Sequence, residues 1–332
     1  MTSLVIQTSF LGDMVLTTPL LAHLATSGPV DVVATPAAGA LLANHPAVRR
    51  VIPYDKRGAQ RGVLGFARLA AALRRGGYER AYMAQGSVRS GALAFSAGIP
   101  VRVGFDSSAG ALFYNDRVPY VETDHHAVRL LSLARERVRS PGERAARPRL
   151  YPGQAEVDAI DDLLRGVDAS MPLYALAPGS VWATKRWPGF ASLAAELGKR
   201  GIVVTIGSAD DGPLAAAIGA AAGSAAIDAT GKLSLLASAE LIRRARVLVT
   251  NDSAPQHLAS AMNTPTVTIF GPTVPDFGFG PLADRAMTVG IDSLACRPCD
   301  KHGPVSCPLG HWRCMRELAP GEVLRTVEQL TR

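Results

Sequence analysis

The chain has 332 residues, of which 48% are hydrophobic and 19% charged, a composition typical of globular proteins and unlike that of disordered chains. No apolar run reaches the ~20 residues that a membrane-spanning helix needs, and the first residues lack the basic region of a signal peptide. We therefore expect a cytoplasmic protein, and its length favours two domains that each bury a core.

The net charge of +7 is unevenly distributed along the chain. Residues 1–150 contain 19 Lys and Arg against 10 Asp and Glu, a net charge of +9, whereas residues 151–332 contain 16 against 18, a net charge of −2. An excess of positive charge in the first half indicates an anionic partner, such as a phosphorylated substrate, a membrane surface or nucleic acid. A solvated Arg-rich surface would explain the same excess.

Short β-rich segments alternate with longer amphipathic segments from the first residues onward. The first series runs "LVIQTS", "MVLTTPLLAHLA", "VDVVAT", "AAGALLANH", "VRRVIPY", "GVLGFARLAAALRRGG" and "ERAYMAQ". An Arg-, Pro- and Gly-rich stretch at residues 137–153 interrupts it, and we interpret this stretch as the approach to a linker. A second series follows from "LYALAPG" to "TVTIFG", and "PGEVLRTVEQLTR" is predicted to form a closing helix.

This alternation predicts βαβ units and parallel sheets. We expect an α/β protein made of two Rossmann-like, doubly wound domains, residues 1–165 and 166–332, that face a central cleft. Ligands bind beyond the carboxyl ends of the strands in such sheets, so the loops that follow strands are the candidate sites.

The loop after the first strand is "TSFLGDM". Gly12 permits a tight turn, and Asp13 lies where a helix begins. Asp13 is a candidate general base, although a carboxylate at this position also serves as an ordinary helix N-cap.

The second candidate loop is "APGSVWATKRWPGF", which opens the second half of the chain. Gly179 and Ser180 follow a strand, and the ammonium of Lys185 beside backbone donors suits a diphosphate. The alternative is a surface lysine next to Trp187, which would pack as a hydrophobic staple.

Three further strand-end loops of the second half carry polar residues. In "IGSADDGP", Asp210 or Asp211 could bind ribose hydroxyls or cap a helix. In "TGKLSLL", Leu233 could lie against adenine. In "NDSAPQHLAS", Asp252 and Ser253 are expected either to cap the helix that follows or to hold an anion at its N-terminus, and Pro255 fits the first turn. Together these loops predict that the second half binds a nucleotide.

Three motifs are absent from the sequence: a G-x-G-x-x-G after a strand, a P-loop and a D-x-D metal-diphosphate motif. We therefore expect Lys185 and helix N-termini to neutralise a diphosphate without a catalytic metal or other cofactor.

All four cysteines lie in residues 296–314, the Cys-rich segment, as Cys296, Cys299, Cys307 and Cys314. A C-x₂-C pair followed by two more cysteines resembles a zinc knuckle, and a reducing compartment favours metal over disulfides. A structural zinc site is therefore predicted, with unligated thiols as the alternative.

The motifs "TSFLGDMVLTTPLL", "APGSVWATKRWP", "TNDSAPQHLASAMNTPTVTIFGPT" and "GFGPL" occur in an order and spacing that resemble glycosyltransferase family 9 over essentially the full length. This family comprises the ADP-heptose:lipopolysaccharide heptosyltransferases, and the resemblance is nearest to their heptosyltransferase II branch. It implies a GT-B fold and an inverting transfer of heptose from ADP-heptose to an anionic lipopolysaccharide core at the inner face of the inner membrane.

The resemblance also assigns residues. Asp13 falls on the family's general base and Lys185 on its diphosphate-binding lysine. The family's donor-binding segment contains Asp252, Ser253 and His257. The further candidate donor contacts, taken from the strand-end loops, are Gly12, Gly179, Ser180, Asp210 and Leu233. The basic first half then becomes the acceptor side, with Lys56, Arg57, Arg61 and Arg89 as candidate contacts to phosphate or carboxylate groups.

The sequence departs from the family's pattern at two positions and is compatible with three other functions. The family usually has Gly where this chain has Ala254, and Glu where Asp210 or Asp211 would bind ribose. A GT-B enzyme with another nucleotide sugar or polysaccharide acceptor, a non-catalytic ADP-sugar binder and a zinc-knuckle nucleic-acid-binding protein are the other hypotheses. We expect no nucleic-acid partner, because the basic excess and the cysteines lie in different halves and no aromatic-rich stacking surface is evident.

Overall fold

The computed structural model describes residues 1–134 and 146–332 and divides them into two units, Met1–Tyr151 and Pro152–Arg332. The sequence-based boundary after residue 165 differs, because the helix at Gln154–Leu163 packs within the second unit. Arg244 donates to the Asp161 carboxylate at 2.5 Å and to the Val157 carbonyl at 3.3 Å. The part of the predicted linker region at residues 137–145 lies outside the described residues.

The first unit is a six-stranded parallel sheet with flanking helices. Its strands are β1 (Ser3–Gln7), β2 (Val30–Ala34), β3 (Arg50–Pro53), β4 (Arg80–Met83), β5 (Val101–Phe105) and β6 (Asp116–Val118). Its helices are α1 (Leu11–Ala25), α2 (Pro36–Ala40), α3 (Gly62–Arg75), α4 (Val88–Ser96) and α5 (His126–Ser132), with a 3₁₀ turn at Ala111–Phe113. The strand order is β3-β2-β1-β4-β5-β6.

The second unit repeats this architecture. Its strands are β7 (Leu173–Ala177), β8 (Ile202–Thr205), β9 (Ala226–Asp228), β10 (Val247–Asn251), β11 (Thr266–Ile269) and β12 (Ala286–Val289). Its helices are α6 (Gln154–Leu163), α7 (Phe190–Gly198), α8 (Gly212–Ala222), α9 (Leu235–Arg244), α10 (Ala254–Met262), α11 (Arg313–Arg316) and α12 (Pro320–Thr331). Short 3₁₀ turns lie at Ala183–Lys185, Ala209–Asp211, Gly223–Ala225 and Pro275–Phe277. The parallel strands follow the order β12-β11-β10-β7-β8-β9, and α12 is the predicted closing helix.

Both units confirm the predicted α/β class of two doubly wound sheets. The central strands are apolar almost throughout because helices cover both faces of each sheet: every residue of β1 and β10 is buried. Leu4, Ile6 and Met83 belong to the core of the first unit, and Leu176 and Val249 to that of the second.

No helix in residues 1–134 or 146–332 combines the length and the apolar character needed to cross a membrane.

Candidate functional site

The strand order reverses between β7 and β10 in the second unit, which pair in parallel. Ligands of doubly wound sheets bind at such a switch point, outside the carboxyl ends of the two strands. Here the loop after β7 carries Gly179, Ser180 and Lys185, and the loop after β10 carries Asp252 and Ser253. The sheet topology therefore brings together two loops that are far apart in the sequence.

Asn251, the last residue of β10, ties these loops to one another. Its side-chain amide donates to the Pro178 carbonyl at 2.8 Å and accepts from the Trp187 backbone N–H at 3.1 Å. The residue is fully buried, so these hydrogen bonds satisfy polar atoms that water cannot reach. Asn251 had no predicted role, although a polar residue at the end of an apolar strand is a signal that could have identified it.

The Asp252 carboxylate is the centre of a buried polar cluster. Lys185 Nζ donates to Asp252 Oδ2 at 2.5 Å, and both side chains are about 10% exposed. Thr273 Oγ1 also donates to Oδ2, at 2.7 Å, and Gln256 Nε2 donates to Oδ1 at 2.8 Å. The lysine is therefore not a surface residue, and its alternative interpretation was wrong.

Trp187 packs in the core rather than as a staple at the surface. It is 3% exposed, stacks edge-on against Phe190 at 5.2 Å between ring centroids, and donates from Nε1 to the Leu318 carbonyl at 3.1 Å. These contacts fix the end of the loop that carries Lys185.

The predicted capping of α10 by a side chain was wrong. Ser253 occupies the N-cap position, but its hydroxyl makes no capping bond. The cause is that Pro255, which does lie in the first turn as predicted, has no N–H, while the Gln256 N–H is already bonded to the Ser253 carbonyl at 3.2 Å. Asp252 is consequently available for Lys185 instead of the helix end.

The resemblance predicts a glycine where this chain has Ala254, but the backbone at this position does not require glycine. Ala254 is the first residue of α10 and is not among the residues with positive φ. His257 is buried three residues further along the same helix.

The two aspartates after β8 differ in their environments. Asp211 is buried and accepts from the Ser208 N–H at 2.8 Å and the Ser208 hydroxyl at 2.9 Å, so it serves as a local cap. Asp210 is exposed. Asp211 also lies so close to Gly179 that a Cβ at Gly179 would stand 2.4 Å from the carboxylate, which explains the glycine.

Two other predicted donor residues, Ser180 and Leu233, lie in loops. Ser180 Oγ accepts from the Trp182 N–H at 3.3 Å. Leu233 is half-buried, and the neighbouring Ser234 caps α9 by accepting from the Ala237 N–H at 3.0 Å.

In the first unit, the switch point lies between β1 and β4. Asp13 is half-buried in the first turn of α1, where Phe10 holds the N-cap position, so the N-cap interpretation of Asp13 was wrong. The Ser9 hydroxyl donates to Asp13 Oδ2 at 2.5 Å and orients the carboxylate. Gly12 is buried within the helix.

Three of the four predicted basic residues gather near the end of β1. Lys56 Nζ donates to the Thr8 carbonyl at 2.9 Å. Burial lowers the pKa of Lys56, and repulsion from Arg57 and Arg89 lowers it further, so the three cations are close together. Arg89 donates to the Tyr54 hydroxyl at 2.5 Å.

Arg61 is an exposed residue at the N-cap position of α3.

The structure does not support the predicted four-cysteine zinc site. In the parts of the chain that the structure describes, no three His, Cys, Asp or Glu side chains are arranged to hold a metal ion. Cys296, Cys299 and Cys307 line a small cavity with His311, whereas Cys314 is buried in the hydrophobic core with Met315. That burial raises the pKa of the Cys314 thiol to about 11, which opposes formation of a thiolate ligand.

Comparisons with known proteins give a consistent result. Residues 66–309 match the sequence model of glycosyltransferase family 9 (heptosyltransferase). Lipopolysaccharide heptosyltransferase 2 of Salmonella typhimurium is 30% identical over 87% of both chains. Among solved structures, E. coli ADP-heptose lps heptosyltransferase II is 27% identical with a TM-score of 0.80, covering 100% of this chain and 98% of that one. A glycosyl transferase family 9 structure from Veillonella parvula is 21% identical with a TM-score of 0.86, covering 99% and 97%.

Proposed function

The chain belongs to glycosyltransferase family 9, and from this membership we propose that it transfers heptose from ADP-heptose to the lipopolysaccharide inner core with inversion at the anomeric carbon. The names of its relatives support this donor and acceptor. The observation that carries the proposal is the buried Lys185–Asp252 pair at the switch point of the second unit, because it holds an ammonium where such folds bind phosphate groups.

In this proposal, the second unit holds the donor. Lys185, Gly179 and Ser180 contact the diphosphate together with the N-terminus of α10, where the helix dipole favours an anion. The exposed Asp210 binds the ribose hydroxyls, since Asp211 is occupied by Ser208. The further donor contacts in the second unit are Leu233, Asp252, Ser253 and His257, and Gly12 of the first unit is the remaining proposed contact.

The leaving group gains negative charge as the bond between the anomeric carbon and the diphosphate breaks. Because Asp252 already holds the Lys185 ammonium in place, the ammonium stabilises this charge without a reorganisation of the site. ADP leaves with the bonding electron pair. The scheme uses no cofactor.

The first unit activates the acceptor. Asp13 takes the proton of the acceptor hydroxyl while the hydroxyl oxygen forms the new bond to the anomeric carbon. The clustered cations Lys56, Arg57 and Arg89 contact the anionic groups of the lipopolysaccharide core, because they repel one another less once an anion lies among them. The exposed Arg61 is the fourth proposed contact.

The test of this function is calorimetric titration of the protein with ADP-heptose and with UDP- and GDP-sugars. We expect selective binding of ADP-heptose. Preference for a UDP- or GDP-sugar would instead favour the alternative of a GT-B enzyme with another donor, and binding of single-stranded nucleic acid alone would contradict the enzyme proposal.

A glycolipid acceptor requires contact with a membrane, and α3 offers a suitable surface. Residues 56–78 contain six Lys and Arg and no Asp or Glu. Val63 and Leu64, in the first turn of α3, are 81% and 73% exposed. Exposed aliphatic side chains in a segment rich in cations are complementary to an anionic lipid surface. We assign this face of α3 to peripheral docking on the inner face of the inner membrane.

Replacing Val63 and Leu64 together by serine should weaken binding to phosphatidylglycerol vesicles about tenfold, because less apolar surface enters the interface. Co-sedimentation with vesicles that lack any glycolipid measures this. Leu112→Ser, which alters an 83% exposed leucine elsewhere in the first unit, is the control. Equal binding by wild type and the double variant would contradict the assignment.

A further inference from the structure

The Cys-rich segment packs against both loops of the candidate donor site. The Thr184 hydroxyl, next to Lys185 in the chain, donates to the Pro304 carbonyl. The Cys299 N–H donates to the Pro272 carbonyl at 2.8 Å, in the loop that follows β11. The segment is therefore attached on one side to the loop after β7, which carries Lys185, and on the other to the loop after β11, which supplies Thr273.

Between these attachments, Gly303 lies directly on the side chain of Lys185. Its φ is +85°, a left-handed conformation that favours glycine. A Cβ at this position would stand 3.0 Å from Lys185 Cε and 3.3 Å from Pro272 Cγ. Both distances are shorter than ordinary van der Waals contact.

The lysine cannot move aside freely to accommodate such a Cβ. Its Nζ is held on Asp252 at 2.5 Å, with Thr273 on the same carboxylate oxygen. A shift of Cε away from residue 303 would therefore displace the ammonium from its partner.

Gly310, in the same Cys-rich segment, provides a comparison. It also has a left-handed φ, +69°, but a Cβ there would meet no atom within 4 Å. Backbone conformation alone accounts for glycine at position 310, whereas at position 303 the close approach to Lys185 is a second requirement.

We infer that Gly303 is a positioning residue for Lys185, and that residues 302–304 form a wall of the donor site. The main chain at Gly303 supports the aliphatic part of the lysine, so that its ammonium is fixed on Asp252 and directed at the diphosphate. The rings of Trp182 and His302 stack with 6.5 Å between their centroids. This stacking extends the contact between residues 302–304 and the loop that carries Lys185. This inference rests on the proposed function, since it presumes a nucleoside diphosphate ligand.

The test compares Gly303→Ala with Gly310→Ala in the full chain, using ADP as the probe. Both variants place alanine in left-handed backbone, so both should melt at a lower temperature than wild type. Only Gly303→Ala should weaken ADP binding, by about tenfold, the effect of losing one charge-assisted hydrogen bond. Gly310→Ala should bind ADP as wild type does.

The second part of the test introduces Gly303→Ala into the Lys185→Ala variant. Once the lysine side chain is absent, Gly303→Ala should cause no further loss of ADP affinity, because the two residues act through one contact. A further tenfold loss in the Lys185→Ala background, or an equal loss in Gly310→Ala, would overturn the inference. So would unchanged ADP affinity in Gly303→Ala, and in that case the proposed function would stand. Wild-type protein that binds no ADP would overturn both.

Discussion

Asp13→Asn is expected to lower kcat by ~10²–10⁴-fold, the usual contribution of a general base, while the affinity for ADP-heptose is retained. The amide cannot take the proton of the acceptor hydroxyl. It has nearly the shape of the carboxylate and still accepts from Ser9, whose hydroxyl donates to Asp13 Oδ2 at 2.5 Å. Steady-state kinetics and calorimetry on the same preparation measure the two quantities.

Glu322→Gln is the matched control for Asp13→Asn. Like Asp13, Glu322 is an acidic residue in the first turn of its helix, here α12. Removing either charge weakens the interaction with the helix dipole to a similar degree, but only the variant at residue 13 should lose turnover. Near-wild-type kcat in Asp13→Asn would remove Asp13 from the mechanism.

Lys185→Ala should weaken ADP binding about 10–100-fold, because the diphosphate loses a charge-assisted hydrogen bond worth ~1.5–3 kcal/mol. It should also reduce the free energy of unfolding, by about 3 kcal/mol, because Asp252 is left buried without its cation. Thr273 and Gln256 still donate to the carboxylate, so we expect a cost at the lower end of the ~3–5 kcal/mol that is typical of a broken buried ion pair. Calorimetry and urea unfolding measure the two effects.

The double variant Lys185→Ala/Asp252→Asn separates binding from stability. Removing the unpaired carboxylate should restore most of the unfolding free energy, whereas ADP affinity should stay low if the ammonium contacts the diphosphate. Recovery of ADP affinity in the double variant would mean that the loss came from repulsion by Asp252, and would contradict a direct role for Lys185.

The fold class was predictable because its signal is local. Segments such as "LVIQTS" and "RVLVT" are short, β-rich and largely apolar. Their alternation with longer amphipathic segments predicts strands that helices cover on both sides. The rule that ligands bind beyond the carboxyl ends of these strands then drew attention to the loops that carry Asp13, Lys185 and Asp252.

The function of individual polar residues in those loops was less predictable. A carboxylate before a helix is compatible with capping. Only the tertiary structure shows that no side chain caps α10, because Pro255 has no N–H and the Gln256 N–H is bonded to the Ser253 carbonyl. The cysteine spacing resembled a zinc knuckle, yet burial of Cys314 in the core depends on contacts with residues distant in the sequence.

By itself, the sequence determined the α/β class, the succession of strands and helices, the basic first half and the membership in a glycosyltransferase family, because periodicity, charge and motifs are properties of neighbouring residues. Only the tertiary structure decided which polar side chains meet. The pairing of β10 with β7 on one side and β11 on the other brings Lys185, Asp252 and Thr273 within hydrogen-bond distance. The return of the chain places Gly303 against the lysine. Contacts between residues this far apart depend on strand order, which no local pattern encodes.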